Sequence, residues 1–272
     1  MDKDILIQLN NVSMRYRFPT EKVNSFKEFV VRFFRGKLKY RMFNALDNVS
    51  LTVRRGESLR IIGHNGAGKS TLLKIIAEIL RPTEGEVIVN GVSALLSLGT
   101  GFDAEETGRN NIYLSGAYMG LSKKQIDERY DQIVAFSELG EFINVPLKNY
   151  SSGMRSRLAF AIAVDVRPDI LLADEVLSTG DAAYARKCAE KIKEIKEGGT
   201  TFILVSHSLG QVRNMCSKVL WLDHGRTKMY GDAKAVCDAY EKDSKEKSAK
   251  GETPYQNSQT VKYRRSAPPA PA

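Results

Sequence analysis

No stretch of 18 uninterrupted apolar residues occurs in this sequence, so no membrane-spanning helix is expected. Met1-Asp2-Lys3-Asp4 is charged and no apolar run of signal-peptide length follows it, so no secretory leader is expected either. Cysteine is scarce: Cys188, Cys216 and Cys237 are odd in number and contain no C-x-x-C pair. Neither they nor the three histidines show zinc spacing. A disulfide framework and a zinc module are therefore not expected, and a reduced, cytoplasmic setting is the simplest account. What is present is a 42% apolar content, enough for a real core in 272 residues, and a net charge of +9. That charge suits nucleic acid, an anionic membrane surface or an acidic ligand.

The rest of the chain is organised around Gly63-His64-Asn65-Gly66-Ala67-Gly68-Lys69-Ser70, which fits the phosphate-binding P-loop pattern G-x-x-x-x-G-K-[ST]. Its context is the one the motif requires. Leu59-Arg60-Ile61-Ile62 reads as a buried strand, and Leu72, Leu73, Ile75, Ile76 and Ile79 recur at helical spacing behind it. Glycines let backbone N–H groups turn inward around an anion, and the helix start adds donors and partial positive charge. Lys69 is expected to reach the β- and γ-phosphates of a nucleotide, and Ser70 to ligate Mg²⁺.

Along the chain, Ile5 to Leu9 reads as a strand, with Tyr16 following in a polar turn. Val23, Phe26, Phe29, Val30, Phe33 and Phe34 then form an amphipathic helical stripe. Lys22, Lys27, Arg32, Arg35, Lys37, Lys39 and Arg41 surround it against Glu21 and Glu28, a net +5 over 21–41. Two readings stand: a helix packed on its own domain with a solvated basic face, or a helix beside a membrane or membrane partner. Strands are expected at 45–53 and 86–90. Residues 108–140 read as helical, with Ser122 and Gln125 as a capping box and Gly140 as the stop. Tyr150-Ser151-Ser152-Gly153-Met154 opens a further apolar helix. Residues 170–175 form a strand ending in two acids, 182–197 a helix, and 201–205 a strand before His207. Asp223-His224-Gly225 marks a hairpin. Beyond Glu241 the chain turns polar, and 245–272 reads as a disordered tail.

In doubly wound sheets, ligands gather at the carboxyl ends of the strands. The P-loop, Asp174, Glu175 and His207 all follow such ends. An apolar run closed by Asp-Glu is the Walker B pattern: Asp174 is expected to hold Mg²⁺ and Glu175 to polarise the attacking water as general base. His207 is expected to contact the γ-phosphate. Ser151 and the N–H groups near Gly153 offer a second anion site at a helix start, which suggests a nucleotide sandwiched between two chains.

The order of these motifs over residues 5–240 resembles the ATP-binding cassette (ABC) family. The resemblance implies an α/β fold: a P-loop NTPase core with a parallel sheet, an antiparallel β subdomain and an α-helical subdomain. It implies one nucleotide-binding domain over 1–244, with the basic segment inserted at about 20–42 and the helical subdomain at about 107–165. ATP and Mg²⁺ are the implied cofactors. Gly63, Asn65, Gly66, Ala67, Gly68, Lys69, Ser70 and Thr71 would form the nucleotide cradle, and Tyr16 resembles the aromatic that stacks on adenine. Ser151 and Gly153 fall at the serine and second glycine of the L-S-G-G-Q signature. Ser178-Thr179-Gly180-Asp181 resembles the D-loop, which makes Asp181 a nucleotide-site residue, and His207 resembles the switch histidine.

Two departures narrow the branch. The signature reads Y-S-S-G-M, and Leu98-Gly99-Thr100-Gly101-Phe102 stands where the Q-loop glutamine is expected. With the early insertion and S-x-G-D, these features resemble the exporters of cell-surface polysaccharide, of the O-antigen, teichoic-acid and galactan type. The resemblance implies a homodimeric ATPase bound peripherally, through a separate permease, to the cytoplasmic face of the membrane. It implies energised export of a lipid-linked polysaccharide, with no nucleic acid partner. Some members of this type carry a large C-terminal sugar-binding domain; the tail here lacks a strand pattern, so none is expected on this subunit. The alternative is the same ATPase serving another cargo: a drug, a peptide or another lipid.

Overall fold

The computed structural model describes residues 4–19, 40–96, 101–166, 168–174, 182–205 and 216–249. Among the described residues, nine strands divide between two sheets. β1 (Ile5–Pro19), β2 (Tyr40–Arg54) and β4 (Glu84–Val89) form an antiparallel sheet in the order β2-β1-β4. The larger sheet has the order β5-β6-β7-β3-β8-β9. It comprises β3 (Ser58–Ile62), β5 (Ser93–Leu96), β6 (Ile170–Asp174), β7 (Thr201–Val205), β8 (Lys218–Asp223) and β9 (Arg226–Asp232). All its neighbouring strands run parallel except β9, which returns antiparallel to β8.

Every residue of β3 and β7 is buried, as expected of central parallel strands covered on both faces. Helix α1 (Lys69–Ile76) supplies Leu72, Leu73, Ile75 and Ile76 to one core with Leu59 and Ile61 of β3, Ile203, Val205, Leu220 and Leu222. Leu6, Ile7, Leu9, Val12, Leu46 and Val49 of the antiparallel sheet join the same core, so the two sheets clasp α1 between them. Each such aliphatic side chain contributes roughly 1.5–3 kcal/mol on burial.

A second core lies in the helical subdomain. There α2 (Gly108–Tyr118), α3 (Lys123–Ser137) and α4 (Ser152–Asp165) surround Ile112, Ile126, Ile133, Leu158 and Ile162. Helices α2 and α3 approach closely at Gly116, where a Cβ would stand 2.7 Å from Ile126 Cδ1. Two further helices pack on the large sheet: α5 (Ala182–Glu197) through Tyr184, Cys188, Ile192 and Ile195, and α6 (Ala233–Ala249) through Val236 and Cys237.

Several local expectations change. The capping box forms as anticipated, with both Ser122 and Gln125 engaged. The helix it opens stops at Glu138, not Gly140: Glu138 adopts the left-handed conformation at φ 56°. Its carboxylate is held there by Arg157 at 3.1 Å and Lys187 at 2.8 Å. Gly140 instead begins a 3₁₀ turn over Gly140–Asn144. Tyr16 lies in the long strand β1 rather than in a turn. The carboxyl-terminal boundary also shifts, since α6 continues through Ala249 and so takes in 245–249. Asp232 starts that helix by accepting from the N–H groups of Lys234 and Ala235 at 3.0 and 3.2 Å. Of the basic segment expected at about 20–42, residues 20–39 lie outside the described residues, as does the tail beyond Ala249, while Tyr40, Arg41 and Met42 open β2.

Candidate nucleotide site

The P-loop begins where β3 leaves the sheet. Gly63, Gly66 and Gly68 have φ of 150°, 81° and 103°, a region that favours glycine. The three glycines serve different ends. A Cβ at Gly63 would collide with the Leu222 carbonyl oxygen, and one at Gly68 with that of Ala45. A Cβ at Gly66 would meet nothing within 4 Å, so there the backbone conformation alone selects glycine. The loop is thus pressed between β2 and the β8–β9 hairpin. Gly225 N–H donates to the Ala67 carbonyl at 3.0 Å, and Asp47 N–H to the Gly225 carbonyl at 2.8 Å. Arg226 clamps the same junction, donating from Nε and Nη2 to Asp47 Oδ2 at 2.8 and 2.6 Å.

Gly68 caps α1 and has no side chain to satisfy the helix's first N–H groups. Ala67 is fully buried behind the loop. Lys69 is buried as well, and its Nζ donates to the Gly63 carbonyl at 2.8 Å and the His64 carbonyl at 3.0 Å. The ammonium therefore lies against the loop's own backbone, with Asn65, Ser70 and Thr71 beside it in sequence. A concave backbone, a helix start and a lysine form a donor set suited to a polyphosphate.

Sheet topology brings one other candidate, Asp174, to the same edge. β7 lies between β3 and β6, and Asp174 is paired in register with Val205 at the carboxyl ends of these strands. Glu175, Asp181 and His207 lie outside the described residues, as do Leu98-Gly99-Thr100. Tyr16 sits opposite Phe43 across the β1–β2 ladder, so both rings project from one face. Phe43 is two residues from Ala45, whose carbonyl abuts Gly68. The Tyr16 and Phe18 ring centroids are 6.1 Å apart, and Phe18, Met42 and Phe43 are exposed. Phe43 is an aromatic neighbour of the site that local sequence reading did not single out, because the partner that positions it is on another strand.

Ser151 caps α4, its Oγ accepting from Met154 N–H at 3.2 Å. Gly153 in the first turn is not selected by strain or by packing: the nearest atom to a Cβ there is Ser151 Oγ at 3.8 Å. Upstream, fully buried Asn111 ties down the loop that enters the helical subdomain. Its Nδ2 donates to the carbonyls of Asp103, Glu106 and Thr107 at 2.9, 3.2 and 2.9 Å, and its Oδ1 accepts from Asp103 N–H at 2.8 Å.

None of the three cysteines forms a disulfide, and all are buried. Burial pushes the Cys188 thiol up to about 11 and also raises Cys216, which makes both poor nucleophiles. All three cysteines pack in apolar cores against the large sheet.

Comparison with known proteins agrees with this geometry. The family described as ABC transporter matches residues 46–178. The ABC transporter protein AbcA of Aeromonas salmonicida is 45% identical over 207 residues, 76% of this chain and 67% of the relative. The O-antigen export system ATP-binding protein RfbB of Klebsiella pneumoniae is 44% identical, covering 75% of this chain and 83% of the relative. The teichoic acids export ATP-binding protein TagH of Bacillus anthracis is 41% identical over 86% of this chain, which spans 42% of that longer protein. A solved ATP-binding subunit of an ABC transporter superposes with a TM-score of 0.69 at 22% identity, over 87% of this chain and 93% of the other, and so shares the fold. The chain belongs to the ABC transporter family, as an ATP-hydrolysing, nucleotide-binding subunit.

Proposed function

We propose that this subunit energises export of a lipid-linked cell-surface polysaccharide through a separate membrane permease. The observation that carries the reading is the naming of relatives at 41–44% identity for teichoic-acid and O-antigen export. Among the described residues no helix is long and apolar enough to cross a membrane, which suits a subunit that relies on another chain for the membrane path. In this reading two copies pair at the cytoplasmic face, each closing its nucleotide with the other's Ser151 and Gly153.

The roles follow from the donor set. The Gly63–Thr71 loop and the start of α1 hold the phosphates, and Lys69 exchanges backbone carbonyls for phosphate oxygens. Ser70 and Asp174 would hold Mg²⁺, which supplies charge neutralisation at the phosphates when bound. Glu175 orients and deprotonates the attacking water, a contribution on the order of 10²–10⁴-fold. His207 donates to the terminal phosphate, Asp181 lies at the seam between the two copies, and Tyr16 with Phe43 offers a face for adenine. Nucleic acid has no part in this cycle.

The test is cargo-directed. The gene is deleted in its host and complemented with wild type or Glu175→Gln. The proposal expects surface polysaccharide to be lost and lipid-linked polymer to accumulate inside, with rescue by wild type alone. An unchanged surface would overturn it in favour of another cargo for the same ATPase.

A further inference from the structure

The P-loop and the β8–β9 turn meet at a cluster that the nucleotide chemistry does not use. His64, Asp223 and His224 each offer one ligand atom, and these atoms lie within 4.8 Å of one another. His64 Nε2 is 3.1 Å from Asp223 Oδ1, His224 Nε2 is 3.7 Å from the same oxygen, and the two imidazole centroids are 4.6 Å apart. Ligands at ordinary zinc distances around a tetrahedral ion stand about 3.3 Å from each other.

A second observation concerns the tautomer. His64 Nδ1 is 2.7 Å from the Asn65 carbonyl oxygen, an acceptor, so Nδ1 carries a proton. The neutral ring then turns the Nε2 lone pair toward the Asp223 carboxylate, also an acceptor. Two acceptors at 3.1 Å require a positive species between them, either a second ring proton or a metal ion. A backbone carbonyl accepting from the far ring nitrogen is also how metal-binding histidines are usually oriented. The carboxylate divides its oxygens: Oδ1 faces the two histidines, while Oδ2 faces Lys228 and Lys247 at 3.7 Å each. Both lysines have a separate anchor in Asp243, at 2.6 and 3.1 Å.

We propose that His64, Asp223 and His224 form a binding site for a divalent transition-metal ion of the zinc, cobalt or nickel class. Two imidazoles and one carboxylate oxygen suit such ions rather than Mg²⁺, which prefers oxygen ligands. The ion would join the second residue of the P-loop to the hairpin turn. The nearby lysines oppose a cation and weaken the site.

The test uses the full chain without nucleotide, titrated with Co²⁺ while visible absorption is recorded, and with Zn²⁺ in equilibrium dialysis. The proposal expects one equivalent bound, with a tetrahedral-type Co²⁺ spectrum. It expects about tenfold or greater loss of affinity in His224→Asn and in Asp223→Asn, and unchanged binding in His207→Asn, which alters the remaining histidine of the chain. Lys228→Gln is expected to bind several-fold more tightly, a gain that misfolding cannot produce. Binding within twofold of wild type in both His224→Asn and Asp223→Asn, or no Co²⁺ spectrum at all, would overturn the proposal and leave an imidazolium–carboxylate pair.

Discussion

Two helix starts in this molecule carry glycine, one at the P-loop and one at α4, and they differ in what demands the glycine. At the P-loop, Gly63 and Gly68 have positive φ, and any Cβ would strike backbone carbonyls of this same chain. At the start of α4, Gly153 has neither constraint, and the space a side chain would fill is open. The first site is completed by intrachain packing. The second leaves open space at Gly153, which in the proposed function the nucleotide held by the other copy would fill.

Substitutions can break that comparison. The largest effect is expected from Gly68→Ala, which adds a Cβ against the Ala45 carbonyl and 2.9 Å from Leu46 Cδ2. Strain plus overpacking should cost about 3 kcal/mol or more, read as a large fall in the denaturant midpoint together with loss of ATP binding. Gly153→Asp should do the reverse. Stability should stay within about 0.5 kcal/mol, because an acid is tolerated in a helix's first turn. ATPase turnover should fall by about 100-fold, since the new carboxylate would meet phosphates held by the other copy. A Gly153→Asp protein that unfolds, or one that hydrolyses ATP normally, would erase the distinction.

Asn111→Ala should be intermediate. It removes the four hydrogen bonds at Asp103, Glu106 and Thr107 and leaves buried backbone groups unpaired, a loss of about 2 kcal/mol measurable by denaturation. The smallest effect is expected at the opposite edge of the sheet. The Asp169 carboxyl is held below its usual range by the Val92 N–H at 3.0 Å and then by Arg55 at 2.9 Å. Its stabilisation is therefore complete above the unfolded-state value of about 4 and is lost as pH falls through the lower folded value. Asp169→Asn should reduce stability slightly at neutral pH, and the gap to wild type should close below about pH 4 in acid titrations followed by circular dichroism.

Where the structure is set locally, the sequence was enough to read it. Strand, glycine loop and helix are contiguous at residues 59–79, and the capping box at Ser122 is written in four residues. What escaped was set by distant partners. β1 extends to Pro19 although its pairing with β2 slips between Leu9 and Val12 and between Val12 and Met14, which breaks the alternation that marks a strand. β5 is four residues at a sheet position defined only by its neighbour β6. α6 reads as polar because its apolar face is narrow: Val236 and Cys237 with Tyr240, whose ring stands edge-on to Trp221 at 5.2 Å. The His64–Asp223–His224 cluster joins positions more than 150 residues apart, so no spacing rule finds it.

The most direct test of the account is the association state of Glu175→Gln in Mg²⁺ and ATP, followed by sedimentation velocity. A dimer is expected that forms with ATP, does not turn over, and disappears when Gly153→Asp is added. A Glu175→Gln protein that stays monomeric with ATP, or that hydrolyses it at the wild-type rate, would contradict the account.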